Sequence, residues 1–64
     1  MISITDTDRK RHYIAAGEIT RLVERQYSGG GTIVILRSGG RIETYAPIGS
    51  VHNQLKRAEH ERSV

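Results

Sequence analysis

The feature that most constrains this chain is a run of β-branched and aliphatic residues, Thr32–Leu36, followed directly by Ser38-Gly39-Gly40. β-branched side chains favour strands, and glycine reaches the positive φ angles that a tight hairpin turn needs. A second stretch, Arg41–Ala46, alternates polar and apolar residues. The pattern therefore predicts a β-hairpin with strands at 32–37 and 41–46.

Shorter strands are predicted before this hairpin. Alternating apolar and polar residues, short polar turn residues and glycines mark where each segment begins and ends. In chain order the segments are a strand at Ile2–Ile4, a turn at Asp6–Asp8, a strand at Lys10–Ala15, a corner or single helical turn at Ala15–Glu18, a strand at Thr20–Tyr27 and a flexible connection at Ser28–Gly31. With the hairpin they give four or five short antiparallel strands in a meander.

One amphipathic helix is predicted after the last strand. Pro47 suits a helix start, and Ser50 is an alternative N-cap. Apolar residues then recur at helical spacing. They are Ile48, Val51, Leu55 and Ala58. The sequence therefore predicts an α+β fold in a single domain, residues 1–64, with a C-terminal amphipathic helix on one face of a small antiparallel sheet.

A chain of 64 residues needs an additional source of stability. A monomer of this size buries only about 60% of the surface that its unfolded chain exposes. Because there are no cysteines, disulfides and thiolate zinc sites are excluded, and oligomerisation is the favoured remedy. The absence of cysteine also fits a reducing compartment, and the first residues become polar too early for a secretory signal. We therefore expect a cytoplasmic protein.

No membrane span is expected. The longest unbroken apolar run, Ile33–Leu36, has four residues. A helix needs about 20 apolar residues to cross a bilayer. Membranes are therefore not among the expected partners.

Two segments of the chain carry a family resemblance. Tyr13–Leu22 and Thr32–Gly40, with a helix that contains Val51, resemble the small bacterial proteins of the flagellar FlbD type and related short bacterial and phage proteins. The resemblance covers residues 11–55, and its motif consists of apolar spacing and one glycine turn. It implies a small adaptor made of a sheet and a helix.

No catalytic, cofactor-binding or metal site is predicted. His52 and His60 lie about 12 Å apart along one helix at 1.5 Å per residue, which is too far to share an ion. Asp6-Thr7-Asp8 lacks the later ligands of a calcium loop, and Ser28–Gly31 lacks the lysine and the helix of a phosphate loop. The scattered serines, histidines and aspartates form no catalytic pattern. We expect a protein that is not an enzyme and takes no small-molecule substrate.

The strand at 32–37 is apolar on both faces. Ile33 and Ile35 point opposite to Val34 and Leu36 because successive side chains alternate across a strand. One helix covers only one of these faces. We therefore predict that Ile33 and Ile35 meet another chain, in a homodimer or with a dedicated protein partner. The alternative is a sheet curled strongly enough to half-enclose both faces.

Positive charge is concentrated in the middle of the chain. The net charge is +3, of which residues 9–41 contribute +5 (seven Lys and Arg against two Glu) and the remaining segments −2. Arginines and tyrosines alternate along the predicted strands, and both residue types are typical of interfaces. The residues predicted to contact a partner are Arg21, Arg25, Tyr27, Arg37, Arg41 and Tyr45.

These observations predict a small, non-enzymatic, self-associating protein-binding module. It would dock on a larger macromolecular complex through a basic and aromatic sheet surface, as an adaptor, a regulator or a phage-encoded inhibitor. The alternative is a nucleic-acid-binding regulator whose arginines hold phosphates and whose tyrosines stack bases. A further interpretation is a solvated face with cross-strand ion pairs, such as Arg41 with Glu24 or Glu43 with Arg37.

Overall fold

The computed structural model describes residues 1–27 and 29–63, with residues 60–63 described by their backbone alone. Ser28, in the predicted connection, and the side chain of His60, in the rejected metal pair, therefore lie outside the described residues. Within these residues the elements are β1 (Ile2–Thr5), β2 (Arg11–Ile14), a 3₁₀ turn (Ala16–Glu18), β3 (Ile19–Glu24), β4 (Thr32–Leu36), β5 (Arg41–Thr44) and α1 (Ile48–Ser63). The predicted α+β fold with a C-terminal helix is confirmed.

The strands keep the predicted meander order, but the structure divides them into two antiparallel sheets. β1 pairs with β2, while β3, β4 and β5 form a three-stranded sheet with β4 at its centre. The 3₁₀ turn separates the sheets because it redirects the chain between β2 and β3. Its backbone is closed by the Glu18 N–H, which donates to Ala15 O at 3.0 Å. The predicted corner at Ala15–Glu18 is therefore what splits the sheet.

The core lies between β1, the three-stranded sheet and α1. Ile2, Ile4, Val34 and Val51 are buried, and Val34 is 0% exposed. The half-buried residues packed around them are Ile14, Ala16, Ile19, Leu22, Leu36, Ile42, Ala46, Leu55 and Ala58. Since a fully buried Val or Ile contributes about 1.5–3 kcal/mol, this cluster joins both sheets and the helix into one stable unit.

Backbone and hydroxyl hydrogen bonds bring the end of β1 beside β5. Thr44 Oγ1 donates to Thr5 O at 2.7 Å. Just beyond β1, the Thr7 N–H donates to Glu43 O at 3.0 Å. Because a buried hydroxyl needs an acceptor, the Thr44 bond fixes how the two sheets meet.

The helix begins at Ile48, directly after Pro47, as predicted. Pro47 O accepts the N–H of Ser50 at 3.0 Å and that of Val51 at 3.2 Å, so Ser50 lies in the first turn and not at the N-cap. In the part of the chain that the structure describes, no helix has the length and apolar character needed to cross a membrane.

The glycine segment 29–31 is hydrogen-bonded to the end of β3. The Arg25 N–H donates to Gly31 O at 2.9 Å, and the Gly30 N–H donates to Tyr27 O at 3.1 Å. Gly31 has a φ of +111°, which side-chain-bearing residues rarely adopt. The segment therefore closes the β3–β4 connection tightly.

Gly31→Ala is expected to destabilise the fold far more than Gly39→Ala. Both glycines have positive φ, +111° and +97°. A Cβ at Gly39 meets nothing within 4 Å, whereas a Cβ at Gly31 would overlap the Thr44 carbonyl and lie 2.8 Å from Tyr45 Cα. We expect the free energy of unfolding to fall by about 1–2 kcal/mol for Gly39→Ala and by at least about 3 kcal/mol for Gly31→Ala, measured by urea unfolding. Equal losses would contradict this close backbone approach.

Candidate interaction surface

The face of the three-stranded sheet turned away from the core carries side chains from all three strands. We call it the outer face and define it by Arg21 and Val23 on β3, Ile33 and Ile35 on β4, and Arg41 and Glu43 on β5. The strand register sets these residues in two rows. The first row is Arg21, Ile35 and Arg41, and the second is Val23, Ile33 and Glu43. Both residues predicted for self-association therefore share one face with arginines predicted for partner binding.

The centre of the outer face is apolar. Ile33 and Ile35 are half-buried and lie outside the core cluster. Val23, on the edge strand, is 38% exposed. Their neighbours cover part of each isoleucine side chain, and solvent reaches the rest. The exposure of the two isoleucines therefore lies between that of a fully open face and that of a face enclosed by a curled sheet.

Two arginines flank this apolar centre. Arg21 and Arg41 are the cross-strand neighbours of Ile35. Adjacent strands lie about 4.8 Å apart, so the two arginine backbones are separated by about 10 Å across the sheet. Both side chains are exposed, and neither forms an ion pair within the part of the chain that the structure describes. Two guanidinium groups on either side of an aliphatic side chain therefore face solvent.

A buried arginine lies at the other end of the sheet. Arg25 is only 6% exposed. Its Nε donates to Glu43 Oε1 at 3.0 Å, and its Nη1 donates to Gly30 O at 2.8 Å. The Tyr27 hydroxyl donates to the same Glu43 oxygen. The buried positive charge is therefore paired and hydrogen-bonded within the protomer, as burial requires.

The same guanidinium positions two tyrosine rings. The Arg25 Cζ atom lies 4.6 Å from the ring centre of Tyr27 and 5.1 Å from that of Tyr45, both within cation–π range. The two tyrosines are 51% and 57% exposed, respectively. Arg25, Tyr27, Glu43 and Tyr45, here called the Arg25 cluster, thus form a fixed aromatic end to the outer face.

Hydrogen bonds in the Arg25 cluster shift the pKa values of its members. The Tyr27 hydroxyl, followed by the Arg25 guanidinium, lowers the pKa of the Glu43 carboxyl. The bond to the Glu43 carboxylate raises the pKa of Tyr27 above its ordinary value. At neutral pH the carboxyl is therefore ionised and the phenol protonated. Neither group has a pKa suited to proton transfer near pH 7.

The structure separates the six residues predicted to contact a partner. Arg25 is buried, and its guanidinium lies against the rings of Tyr27 and Tyr45. Arg37 is exposed in the turn after β4, where its Nε donates to Gly17 O at 3.2 Å. The other four lie on the outer face or at its aromatic end: Arg21, Tyr27, Arg41 and Tyr45.

The ion pairing of Glu43 differs from the predicted cross-strand pairs. Among the described residues Glu43 pairs with Arg25 and not with Arg37, which lies near the opposite end of β4. Glu24 is in register with the buried Thr32, so it lies on the opposite side of the sheet from Arg41. Because side chains alternate along a strand, the sequence alone was enough to predict that Glu43 lies on the same face of β5 as Arg41. No sequence signal indicates that the long side chain of Arg25, directly after β3, reaches Glu43.

A second polar cluster stabilises the turn between β1 and β2. Asp6 Oδ1 accepts the N–H groups of Asp8 at 2.8 Å and Lys10 at 2.9 Å, and Asp6 Oδ2 is 2.7 Å from His12 Nε2. The hydrogen bond to His12 is the largest cause of the lowered pKa of Asp6. Over residues 1–27 and 29–59, no three His, Asp or Glu side chains are grouped to hold a metal ion.

Comparison with known proteins finds no family model that matches this chain, and no similar curated protein or solved structure. The resemblance to FlbD-type proteins therefore stays a prediction.

The Arg25 cluster predicts an acid-dependent loss of stability. Because the folded state lowers the pKa of Glu43, its stabilisation is complete above the ordinary glutamate pKa of about 4.3 and is lost as pH falls through the lower folded value. Glu43→Gln should be less stable than the wild type at pH 7, and the gap in urea midpoint should shrink towards pH 3.

The matched control is Tyr13→Phe, which removes an exposed hydroxyl from β2. Its urea midpoint should follow that of the wild type at every pH. The urea midpoints of the wild type and of Glu43→Gln could also differ by the same amount from pH 7 to pH 3. That result would show that the ionised carboxylate does not stabilise the cluster.

Proposed function

We propose that this chain is a cytoplasmic, non-enzymatic protein-binding module that docks through its outer face on an acidic segment of a partner protein. The single observation that carries the proposal is the row formed by Arg21, Ile35 and Arg41. It presents two exposed guanidinium groups with an aliphatic side chain between them. Arginine and exposed aliphatic surface together favour a partner that brings carboxylates beside an apolar side chain.

Charge on the outer face supports an acidic partner. Glu43 is the one carboxylate in the set that defines this face, and Arg25 neutralises it inside the protomer. Arg21 and Arg41 remain to be paired by a partner. Arginine offers five donors in a planar fork, which suits bidentate binding of a carboxylate. The tyrosines at the far end add rigid apolar surface of the kind that interfaces use.

The Arg25 cluster favours a protein over a nucleic acid as the partner. Single-strand binders stack bases on free aromatic faces. Here the guanidinium of Arg25 already lies over the rings of Tyr27 and Tyr45.

The proposal does not invoke catalysis. Glu43 and Tyr27 are the acid–base groups of this surface, and their mutual hydrogen bond moves the pKa values of both away from neutrality. The flagellar resemblance is compatible with an adaptor, and the proposal does not depend on it.

Selection from a displayed random-peptide library tests the proposed partner chemistry. Enriched peptides are expected to carry Asp or Glu on both sides of a large aliphatic residue. Arg21→Glu with Arg41→Glu should weaken binding of such a peptide at least about tenfold, because both guanidinium contacts become repulsive. Isothermal titration with the synthesised peptide measures the change.

The control variant is Lys56→Glu with Arg57→Glu, which makes the same change of charge on the exposed side of α1. It should bind the selected peptide as the wild type does. If both double variants weakened peptide binding equally, the cause would be the net charge of the protein and not the outer face, and the proposal would fail. Salt-dependent binding of a single-stranded oligonucleotide, with no acidic peptide enriched, would favour the nucleic-acid alternative.

A further inference from the structure

The outer face is complementary to a second copy of itself in one orientation. We infer that two copies of this chain pair through the outer face in an antiparallel arrangement, and that this pairing regulates docking by covering the same surface. The regulatory part rests on the proposed function, whereas the pairing itself does not.

The register of the sheet determines which residues would meet. In the proposed dimer, two outer faces pack together about a twofold axis. The axis lies in the interface, runs perpendicular to the strands and passes between the two rows. The first row of one protomer then faces the second row of its partner. Sheets packed face to face lie about 10 Å apart, a gap that long side chains from both sides fill.

In this arrangement two of the three columns of the sheet make a favourable contact. Ile35 faces the partner's Ile33, Arg41 faces the partner's Glu43, and Arg21 faces the partner's Val23. The twofold axis repeats each contact, as in any isologous interface. One apolar contact and one ion pair are thus formed twice.

The opposite twofold arrangement is unfavourable. When the twofold axis runs parallel to β4, β3 of one protomer lies over β5 of the other, and the two β4 strands face each other. Arg21 would then face the partner's Arg41 twice, and Val23 would face the partner's Glu43. Opposed like charges are destabilising, so electrostatics select the antiparallel arrangement.

Glu43 is able to serve both its own protomer and the partner. The bonds from Arg25 and Tyr27 both end on its Oε1 atom. Among the described residues no hydrogen bond occupies Oε2. The partner's Arg41 can therefore approach Oε2 while the Arg25 cluster stays intact.

The size of the face makes this pairing weak. Three strands by about five residues give a footprint of about 15 Å by 17 Å, or about 250 Å². A stable interface buries about 800 Å² per partner, so we expect the association to be weak. An association of that strength is one that an acidic partner displaces readily.

Substitutions at Val23 test the arrangement because this residue faces a different partner residue in each orientation. In the antiparallel pair it faces the partner's Arg21, so Val23→Glu should tighten self-association about fivefold and Val23→Lys should weaken it. Sedimentation velocity over a concentration series up to the millimolar range measures both. Lys56→Gln, with the same charge change as Val23→Glu but on α1, should leave the association unchanged.

The regulatory part is tested by adding an acidic peptide from the display selection to each variant. Val23→Glu should bind the peptide more weakly while it self-associates more tightly, and the peptide should dissociate the wild-type dimer. Peptide binding that leaves the dimer intact would overturn the competition.

The failures of the two proposals are distinguishable. Wild-type protein that stays monomeric at every concentration overturns the pairing, whether or not peptides bind. A dimer that binds no selected peptide leaves the pairing standing and defeats the docking function. Tightening by Val23→Lys, with weakening by Val23→Glu, would overturn the antiparallel arrangement.

A second variant tests the pairing independently of Val23. Ile35→Lys places a charge at the centre of the face, away from the core cluster, and should abolish self-association while the circular dichroism spectrum stays that of the folded protein. Unchanged self-association in folded Ile35→Lys would overturn the pairing independently of the Val23 variants.

Discussion

The rest of the structure depends on one constraint: the central strand β4 is apolar on both faces, and the described chain supplies one helix. Val34 points inward and is fully buried against the core that α1 covers. Ile33 and Ile35 point outward by the alternation of any strand. The helix cannot reach them, so their neighbours on β3 and β5 decide how much solvent they meet. Three of those four neighbours, Arg21, Arg41 and Glu43, are charged, so the uncovered apolar strip is bordered by charge.

The Arg25 cluster gives this surface two different ends. At one end Arg21 and Arg41 flank Ile35 and face solvent. At the other end Arg25 is buried, and its charge is satisfied by Glu43 and the Gly30 carbonyl. A buried charge is tolerated only when it is paired and hydrogen-bonded. The guanidinium group is therefore exposed to solvent at one end of the sheet and is part of the internal structure at the other.

The hairpin, the corner and the helix could be predicted from the sequence because each depends on local signals. The signals are β-branched residues at 32–35, glycines at 39 and 40, and Pro47 before Ile48. Each of them affects the backbone only within a few positions of itself. The division into two sheets could not be predicted in this way. It depends on how the corner at Ala16–Glu18 turns the chain, and local spacing does not report that angle.

The candidate site was predicted in part for a similar reason. Alternation along a strand was enough to place Ile33 and Ile35 on one face. Merging that face with the predicted arginine and tyrosine surface required the register between strands, which only the structure provides. The role of Arg25 was not predicted, because its partner Glu43 is 18 residues away on β5, and β5 does not pair with β3, the strand that precedes Arg25.

The most direct test of the account is to follow the amide chemical shifts of isotope-labelled protein as it is diluted from millimolar to low micromolar concentration. If the outer faces pair, the shifts should change together with one dissociation constant and map to β3, β4 and β5, with the largest changes around Arg21, Ile35 and Arg41. The β1–β2 sheet and α1 should stay unchanged. Shifts concentrated in α1 or in the β1–β2 sheet, or a spectrum that does not change with concentration, would contradict the claim that two copies of this chain pair through the outer face.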